Sequence, residues 1–240
     1  MKGVHHLLLT TVTGGCAIIP MIPLIPPGWL PPLALGLVIG SLAPDADASG
    51  AAILHPGLPG RGTGARGFSR WILPFFGYLI RYLIYYPCWA VLRLLFGRRC
   101  SLEHRGLLHS FLGVTLITLL TTACLAGFLF LARGDAYLLL VPFGSALLAG
   151  CLLHLVEDSA TVTGIRWAHP WSDHAVHGTL HTGSVNLWPT AFVILLAVGG
   201  VMILAGPRYT GEALPWQAPA MFLFLLLAWG AFLLASGVRT

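Results

Sequence analysis

Charge is what this sequence has least of. Only 9% of its 240 residues are Asp, Glu, Lys or Arg, against 57% hydrophobic, and the mean hydropathy is +0.84. Soluble domains carry roughly a quarter charged residues, so a disordered chain and an independent soluble domain are both excluded, and the polypeptide reads as an integral membrane protein. The net charge of +5 is no nucleic-acid signature here, because in a membrane protein lysine and arginine report orientation first. No CxxC occurs among Cys16, Cys88, Cys100, Cys124 and Cys151, which removes a zinc knuckle and a thioredoxin-like redox pair. G-x-S-x-G, HExxH and a glycine-rich phosphate loop before a helix are missing too, which weakens serine-hydrolase, zincin and P-loop readings. No internal repeat and no second domain are evident, so residues 1–240 are read as one membrane-embedded unit.

Long apolar runs fill the space that charge leaves. A spanning helix needs about 20 apolar residues, and four runs qualify: 107–132, 136–157, 188–206 and 216–237. Two shorter ones, 4–19 and 30–43, flank the proline-rich "PMIPLIPPGWLPP". The aromatic stretch "WILPFFGYLIRYLIYYPCWAVLRLLFGRR" is broken by Pro74 and Pro87 and punctuated by arginines, Arg70 just before it and Arg81 and Arg93 within it. It is expected to form an interfacial or re-entrant amphipathic pair within an insertion over 44–106. "HPGLPGRGTGARG" reads as a flexible loop, and 158–187 as a lid-like one. The leader "MKGVHHLLLTTVTGGC" faintly resembles a lipoprotein signal, but its two histidines and Thr13 argue against one. The expected fold is all-α: a polytopic helical membrane protein with four clear spans, two shorter N-terminal helices and an interfacial segment.

Threading these runs back and forth sends the polar residues to one end. All ten histidines fall on the side that holds His5 and His6, as do Asp45, Asp47, Glu103, Glu157, Asp158 and Asp173; the other side keeps only Asp135 and Glu212 as acids. Ionisable residues in membrane segments are costly and mark functional candidates. Three spacings stand out. His154 and Asp158, four apart, share a helical face and can share a metal or simply reach interfacial water. Asp45 and Asp47 follow Pro44; two such carboxylates repel unless a cation or solvent separates them, and an ordinary solvated turn is the plainer alternative. His104 and His109, five apart, would diverge by about 140° on one helix. They converge only if His104 lies in a turn before the helix, with His109 about one turn inside it.

The order of "HHLLLT", "PDAD", "HRGLLHS", "HLVEDSATVTG" and the "TGS" at 182–184 resembles the YdjM-like family of membrane-bound, metal-dependent hydrolases. The matching residues are His6, Asp45, Asp47, His104, Arg105, His109, Ser110, His154, Asp158, Thr161 and Gly164, over residues 3–190 or so. Ala48 stands where the family has a histidine and Leu108 where it has threonine. The ligand order is also distantly similar to zinc-dependent phospholipase C and to related fungal nucleases.

The resemblance implies a metal-ligand set of His6, Asp45, Asp47, His104, His109, His154 and Asp158. Seven donors exceed the three or so that one catalytic zinc takes and suit two ions, which clamp a phosphoryl centre. Imidazole and carboxylate ligation favours Zn²⁺, with Mn²⁺ or Fe²⁺ as substitutes. The expected activity is phosphoester hydrolysis by a metal-bound hydroxide. Arg105 is assigned to a substrate phosphate oxygen or to topology anchoring, and Asp47 to a catalytic role beside ligation. Ser110, Thr161 and Glu157 are expected to support the ligands. In the loop, Trp167 and Trp171 are expected at headgroup level; His169, His174, His177 and His181 are not needed as ligands. The expected substrate is an amphiphile such as a phospholipid or lipid-linked phosphate, the partner is membrane lipid, and no nucleic acid is involved. The other class that fits is a non-catalytic metal-binding membrane protein, structural or ion-handling; concentration of polar residues at one end disfavours a transport path. Counting basic residues, eleven against two, directs the site and both termini to the cytoplasmic face of the inner membrane.

Overall fold

With no water to satisfy backbone N–H and C=O groups in a bilayer, apolar runs of this length close their hydrogen bonds internally as helices. The structure, a computed structural model, describes residues 3–55, 69–100, 102–181, 187–210 and 216–240. Among the described residues, eight α-helices make up the architecture and no extended strand occurs. The four expected spans appear as α5 (Phe111–Leu131), α6 (Leu140–Ser159, entered through a 3₁₀ turn Ala136–Leu139), α7 (Leu187–Thr210) and α8 (Gln217–Ala235). The first short run, α1 (Gly3–Ile18), does not stop at Pro20. It tightens into a 3₁₀ helix, Ile19–Leu24, and the combined 22 residues are long and apolar enough to cross a membrane. The second, α2 (Leu30–Gly40), stays short.

The aromatic stretch differs from the expected pair. It is one continuous helical rod: α3 (Ser69–Tyr78), a π-helical segment Leu79–Tyr85, then α4 (Tyr86–Phe96). Pro87 would clash with a carbonyl in a regular α-helix, but it falls in the first turn after the π segment, where widened winding relieves the clash. The 29 residues Trp71–Arg99 are long and apolar enough to span, giving six such segments among the described residues. The expected loop at 56–68, the "TGS" at 182–184 and Glu212 lie outside the described residues.

Two packed groups meet along α1 and α6. One gathers buried side chains of α2, the α3–α4 rod, α5 and α6, among them Ile39, Ile80, Ile84, Val114, Ile117 and Leu147. The other joins α1 to α7 and α8 through Leu9, Cys16, Leu196, Met221 and Phe232, with Trp229 Nε1 donating to Thr13 Oγ1 at 3.3 Å. The tightest contact is between α2 and α6, which run parallel toward the same end. Gly36 abuts the backbone of Phe143, Gly40 abuts that of Leu147, and a Cβ on Gly150 would lie 2.7 Å from Leu37 O. Small residues at such contacts let helix backbones approach closely where hydrophobic burial supplies no drive. This contact fixes the height at which the turn after α2 meets the end of α6.

Residues 160–181 form no helix but a set of short backbone pairings, Thr161 with Leu180 and Ile165 with Val176. The C-terminal tail pins them: His177 and Arg239 exchange two backbone hydrogen bonds of 2.9 Å, and Thr179 N donates to Ser236 O.

Candidate metal centre

Four separate stretches deliver the polar cluster. His6 projects from the first turns of α1. Asp45 and Asp47 sit in a 3₁₀ turn, Ala43–Asp47, that follows α2. His104 and Arg105 lie in the loop before a 3₁₀ turn, Leu107–His109, and Ser110 caps α5 by accepting a hydrogen bond from Gly113 N at 3.0 Å. His109 is therefore ahead of the helix, not a turn inside it, because Ser110 starts the helix one residue later. That position lets both histidine rings converge, with centroids 5.0 Å apart. His154, Glu157 and Asp158 come from the last turns of α6.

The imidazole nitrogens point at one centre. Asp45 Oδ1 lies 3.4 Å from His109 Nε2, 3.6 Å from His154 Nε2 and 3.9 Å from His104 Nε2. Asp158 Oδ2 is 3.6 Å from His109 Nε2 and 3.8 Å from His154 Nε2, and its Oδ1 is 3.5 Å from His6 Nε2. These separations are too long for good hydrogen bonds. They match two donors on one ion: bonds of about 2.0–2.1 Å at tetrahedral angles put neighbouring donors roughly 3.3–3.4 Å apart. The Nε2 atoms of His6, His109 and His154 are buried with no hydrogen-bond partner, an arrangement that is costly unless something else satisfies them. Three overlapping groups could each hold an ion: His6, Asp45 and His154; Asp45, His104 and His109; and His109, His154 and Asp158.

The far side of three of the four rings is anchored; His109 Nδ1 is buried without a hydrogen-bond partner. His6 Nδ1 is 2.6 Å from Glu157 Oε2, whose other oxygen accepts from Thr10 Oγ1 at 3.2 Å. His154 Nδ1 donates to Ser41 O at 2.8 Å, and His104 Nδ1 is 2.8 Å from Asp47 Oδ1. Carbonyl and carboxylate partners on the second nitrogen are how ligating histidines are held in tautomer and orientation. The rings of His6 and His154 stack, with centroids 3.9 Å apart.

Six of the seven expected ligands thus meet, and Asp47 does not join them. Its Oδ1 pairs with His104 Nδ1 and orients that ring, its Oδ2 is buried without a partner, and the turn sends Asp45 inward instead. Arg105 also differs from the phosphate-holding expectation. Its guanidinium donates to Asp158 Oδ1 at 3.0 Å, to Thr161 Oγ1 at 2.9 Å and to Gly164 O at 3.3 Å. Arg105 reaches them from a left-handed backbone, φ 67°, a conformation that costs about 1 kcal/mol for a residue with a Cβ. Gly164, at φ 60°, sits where a Cβ would strike Val176. Thr161 Oγ1 also donates to Asp158 O, and Ser110 Oγ, besides capping α5, donates to Leu107 O at 2.7 Å and so closes the turn that carries His109. Thr10 and the Ser41 carbonyl were missed in the sequence. Thr10 shares the face of His6 four residues on, a legible signal, whereas a backbone carbonyl leaves none.

Electrostatics call for cations. Four carboxylates, Asp45, Asp47, Glu157 and Asp158, are offset in the cluster by one guanidinium. Burial pushes the Asp45 carboxyl upward, but the imidazoles of His154 and His109 outweigh it and hold the group well below the ordinary range. The Asp47 hydrogen bond raises His104 above the usual imidazole value. The mouth is formed by His104, 46% exposed, Asp45, 18%, and Arg105, 13%; His6, His109, His154, Glu157 and Asp158 are buried.

Among the described residues, no loop histidine from 169 to 181 joins a metal-capable group. Trp167 is anchored inward, with Nε1 donating to Ser159 Oγ at 2.9 Å, whereas Trp171 is exposed. Comparison with curated proteins and with solved structures gives no match. The family model described as "YdjM inner membrane protein" matches residues 1–238, nearly the whole chain and every element of the cluster, and the protein belongs to that family.

Proposed function

We propose that the protein is a membrane-embedded metal-dependent hydrolase acting on phosphoester bonds of lipid or lipid-linked substrates. The observation that carries the reading is the convergence of His6, Asp45, His104, His109, His154 and Asp158 at ion-sharing separations, with the outer nitrogens of His6, His104 and His154 held by Glu157, Asp47 and the Ser41 carbonyl. The donor set, with no thiolate, suits Zn²⁺, and its number suits two ions. Zinc held there would supply water acidified toward neutrality and an electrophilic contact for a phosphoryl oxygen. Arg105 fixes Asp158 against the α6 end, so the carboxylate cannot swing toward water. Asp47 keeps His104 at the mouth with Nε2 turned toward Asp45. The buried His6–Glu157–Thr10 chain closes the inner wall and excludes water from that side. Substrate reaches the cluster past Asp45 and His104, where membrane meets water.

Purified protein reconstituted with zinc and offered phospholipid or a soluble phosphodiester should release product, stop on chelation and recover on zinc addition. Full metal content with no turnover on any phosphoester would favour a structural or ion-handling centre instead.

The same reading orients the centre toward the cytoplasm. Arg98, Arg99, Arg105, Arg166 and Arg239 belong to segments at the metal-cluster end, whereas Arg133 follows the far end of the 21-residue α5. Basic residues favour the cytoplasmic side. In a cysteine-free background, Asp135→Cys is expected to react with an impermeant maleimide on intact cells. Glu103→Cys, 73% exposed in the native residue, is expected to react only after permeabilisation. The native Cys100 is buried and is no reporter. Labelling at 103 without 135 reverses the orientation.

A further inference from the structure

The α4 helix ends in a way that specifies what covers it. Val91, Leu94 and Leu95 are 56%, 86% and 71% exposed, and they lie on one face at spacings of three and four. A lipid-facing helix presents such a face to acyl chains. It stops abruptly at Gly97, φ 61°, which breaks the helix, and Arg98 and Arg99 follow at once. Both arginines are exposed and have no acidic partner among the described residues; the nearby Glu103 is taken by Arg166. The turn is rigidly built. Trp89 Nε1 and Arg93 Nη1 both donate to Cys100 O, at 3.3 and 2.9 Å. The exposed Trp171 stands edge-on against Phe96, with centroids 6.0 Å apart, an interfacial aromatic beside the point where apolar surface gives way to cationic surface.

We propose that the Gly97–Arg99 turn, with Trp171 and the Leu94–Leu95 face, is a docking site for anionic phospholipid of the bilayer. Acyl chains cover Leu94 and Leu95, and the guanidinium groups of Arg98 and Arg99 hold the headgroup phosphate. Bidentate pairing of guanidinium with phosphate fits two such residues side by side. Residue 99 is five residues from His104, and an extended chain of that length spans at most about 18 Å. The bound headgroup therefore stays close to the mouth of the metal cluster. This site does not depend on the hydrolytic reading, because it shares no residue with the cluster.

The test uses the full chain, zinc-loaded, in an uncharged maltoside detergent, titrated with phosphatidylglycerol or phosphatidylcholine and read by native mass spectrometry. Each basic residue at an anionic surface is worth about fivefold in affinity, so two give about 30-fold. The wild type is expected to prefer phosphatidylglycerol by roughly that factor, and 0.5 M salt to reduce the preference. Arg98→Gln/Arg99→Gln should reduce it to about threefold or less while keeping the same metal content and oligomeric state. Equal binding of the two lipids by the wild type, or an undiminished preference in the double variant, overturns the proposal. So does dissociation of a dimer in the variant, which would assign the surface to a second copy of the chain.

Discussion

His154→Ala and Asp158→Ala are each expected to strip the protein of bound metal and to lower its melting temperature in detergent by the whole margin that metal contributes. His154 belongs to two of the three ion-capable groups, and Asp158 faces the Nε2 atoms of His6, His109 and His154. Loss of a ligand leaves the remaining imidazoles and carboxylates buried without a cation, and affinity should fall at least 100-fold. Glu157→Gln acts one step further out, by weakening the hold on His6 Nδ1, and should cost about 10–100-fold. An ion present at 100 times its dissociation constant stabilises the folded state by about 2.7 kcal/mol. That stabilisation should vanish in both alanine variants and, on chelation, in the wild type. His174→Ala, on the exposed loop, should match the wild type. Packing effects are separable, because a defect due only to lost metal disappears when variant and wild type are compared in chelator. Metal analysis after size exclusion is the primary readout, and full stoichiometry in the His154→Ala, Asp158→Ala double variant would overturn the ligand assignment.

The second large effect is expected far from any ligand. Gly40→Ala should destabilise the protein by at least 1–3 kcal/mol, the range for forcing extra volume into a filled contact, and should weaken metal binding as well. A Cβ at Gly40 meets the backbone of Leu147, Gly150 and Cys151, with Cys151 N at 3.0 Å, and backbone cannot rotate away as a side chain can. Relief requires α2 to move off α6, which carries Asp45 away from His154. Gly15→Ala is the contrast. Nothing lies within 4 Å of its would-be Cβ, and alanine exceeds glycine in helix propensity by about 1 kcal/mol, so this variant should be neutral or stabilised. The opposite signs of two Gly→Ala changes, read from thermal melts and metal content together, distinguish close packing from helix propensity. Equal behaviour of the two variants would remove the α2–α6 contact as the device that sets the height of Asp45.

What could be read in the sequence was what local spacing encodes. His154 and Asp158 at a four-residue interval declared a common face, and the step from His104 to His109 required a turn before α5, which the 3₁₀ turn Leu107–His109 supplies and Ser110 ends by capping the helix. Length and hydropathy found α5 to α8. Proline signals misled in the aromatic stretch, since a π segment absorbs Pro87 without a break. The different uses of Asp45 and Asp47 were not legible. Both follow the same proline, and only the 3₁₀ turn and the positions of His104 and His109 send one inward and one to a histidine. The pairing of Arg105 was not legible for a similar reason: its partner Asp158 is 53 residues away in sequence. The close contact of Gly36 and Gly40 with α6 was not anticipated: the run that holds Gly150 was identified as a span, but nothing local says which helix packs against which.

The pairing of His6 with Glu157 joins residues 151 apart in the chain, and that separation imposes an order on biosynthesis. A ribosome delivers α1 to the membrane long before α6 exists. Until α6 arrives, His6 and Thr10, both buried in the finished protein, lack the Glu157 carboxylate that pairs with them, and polar side chains in hydrocarbon are expensive. The nascent first helix therefore has reason to stay loosely inserted, or held by the insertion machinery, while the next four helices are made. The two ion-capable groups that include His154 are complete only after α6 has been made, so a chain stalled after α5 keeps at most the Asp45–His104–His109 group and lacks the partner that satisfies His6 in its first helix, before any defect in α7 or α8 could matter.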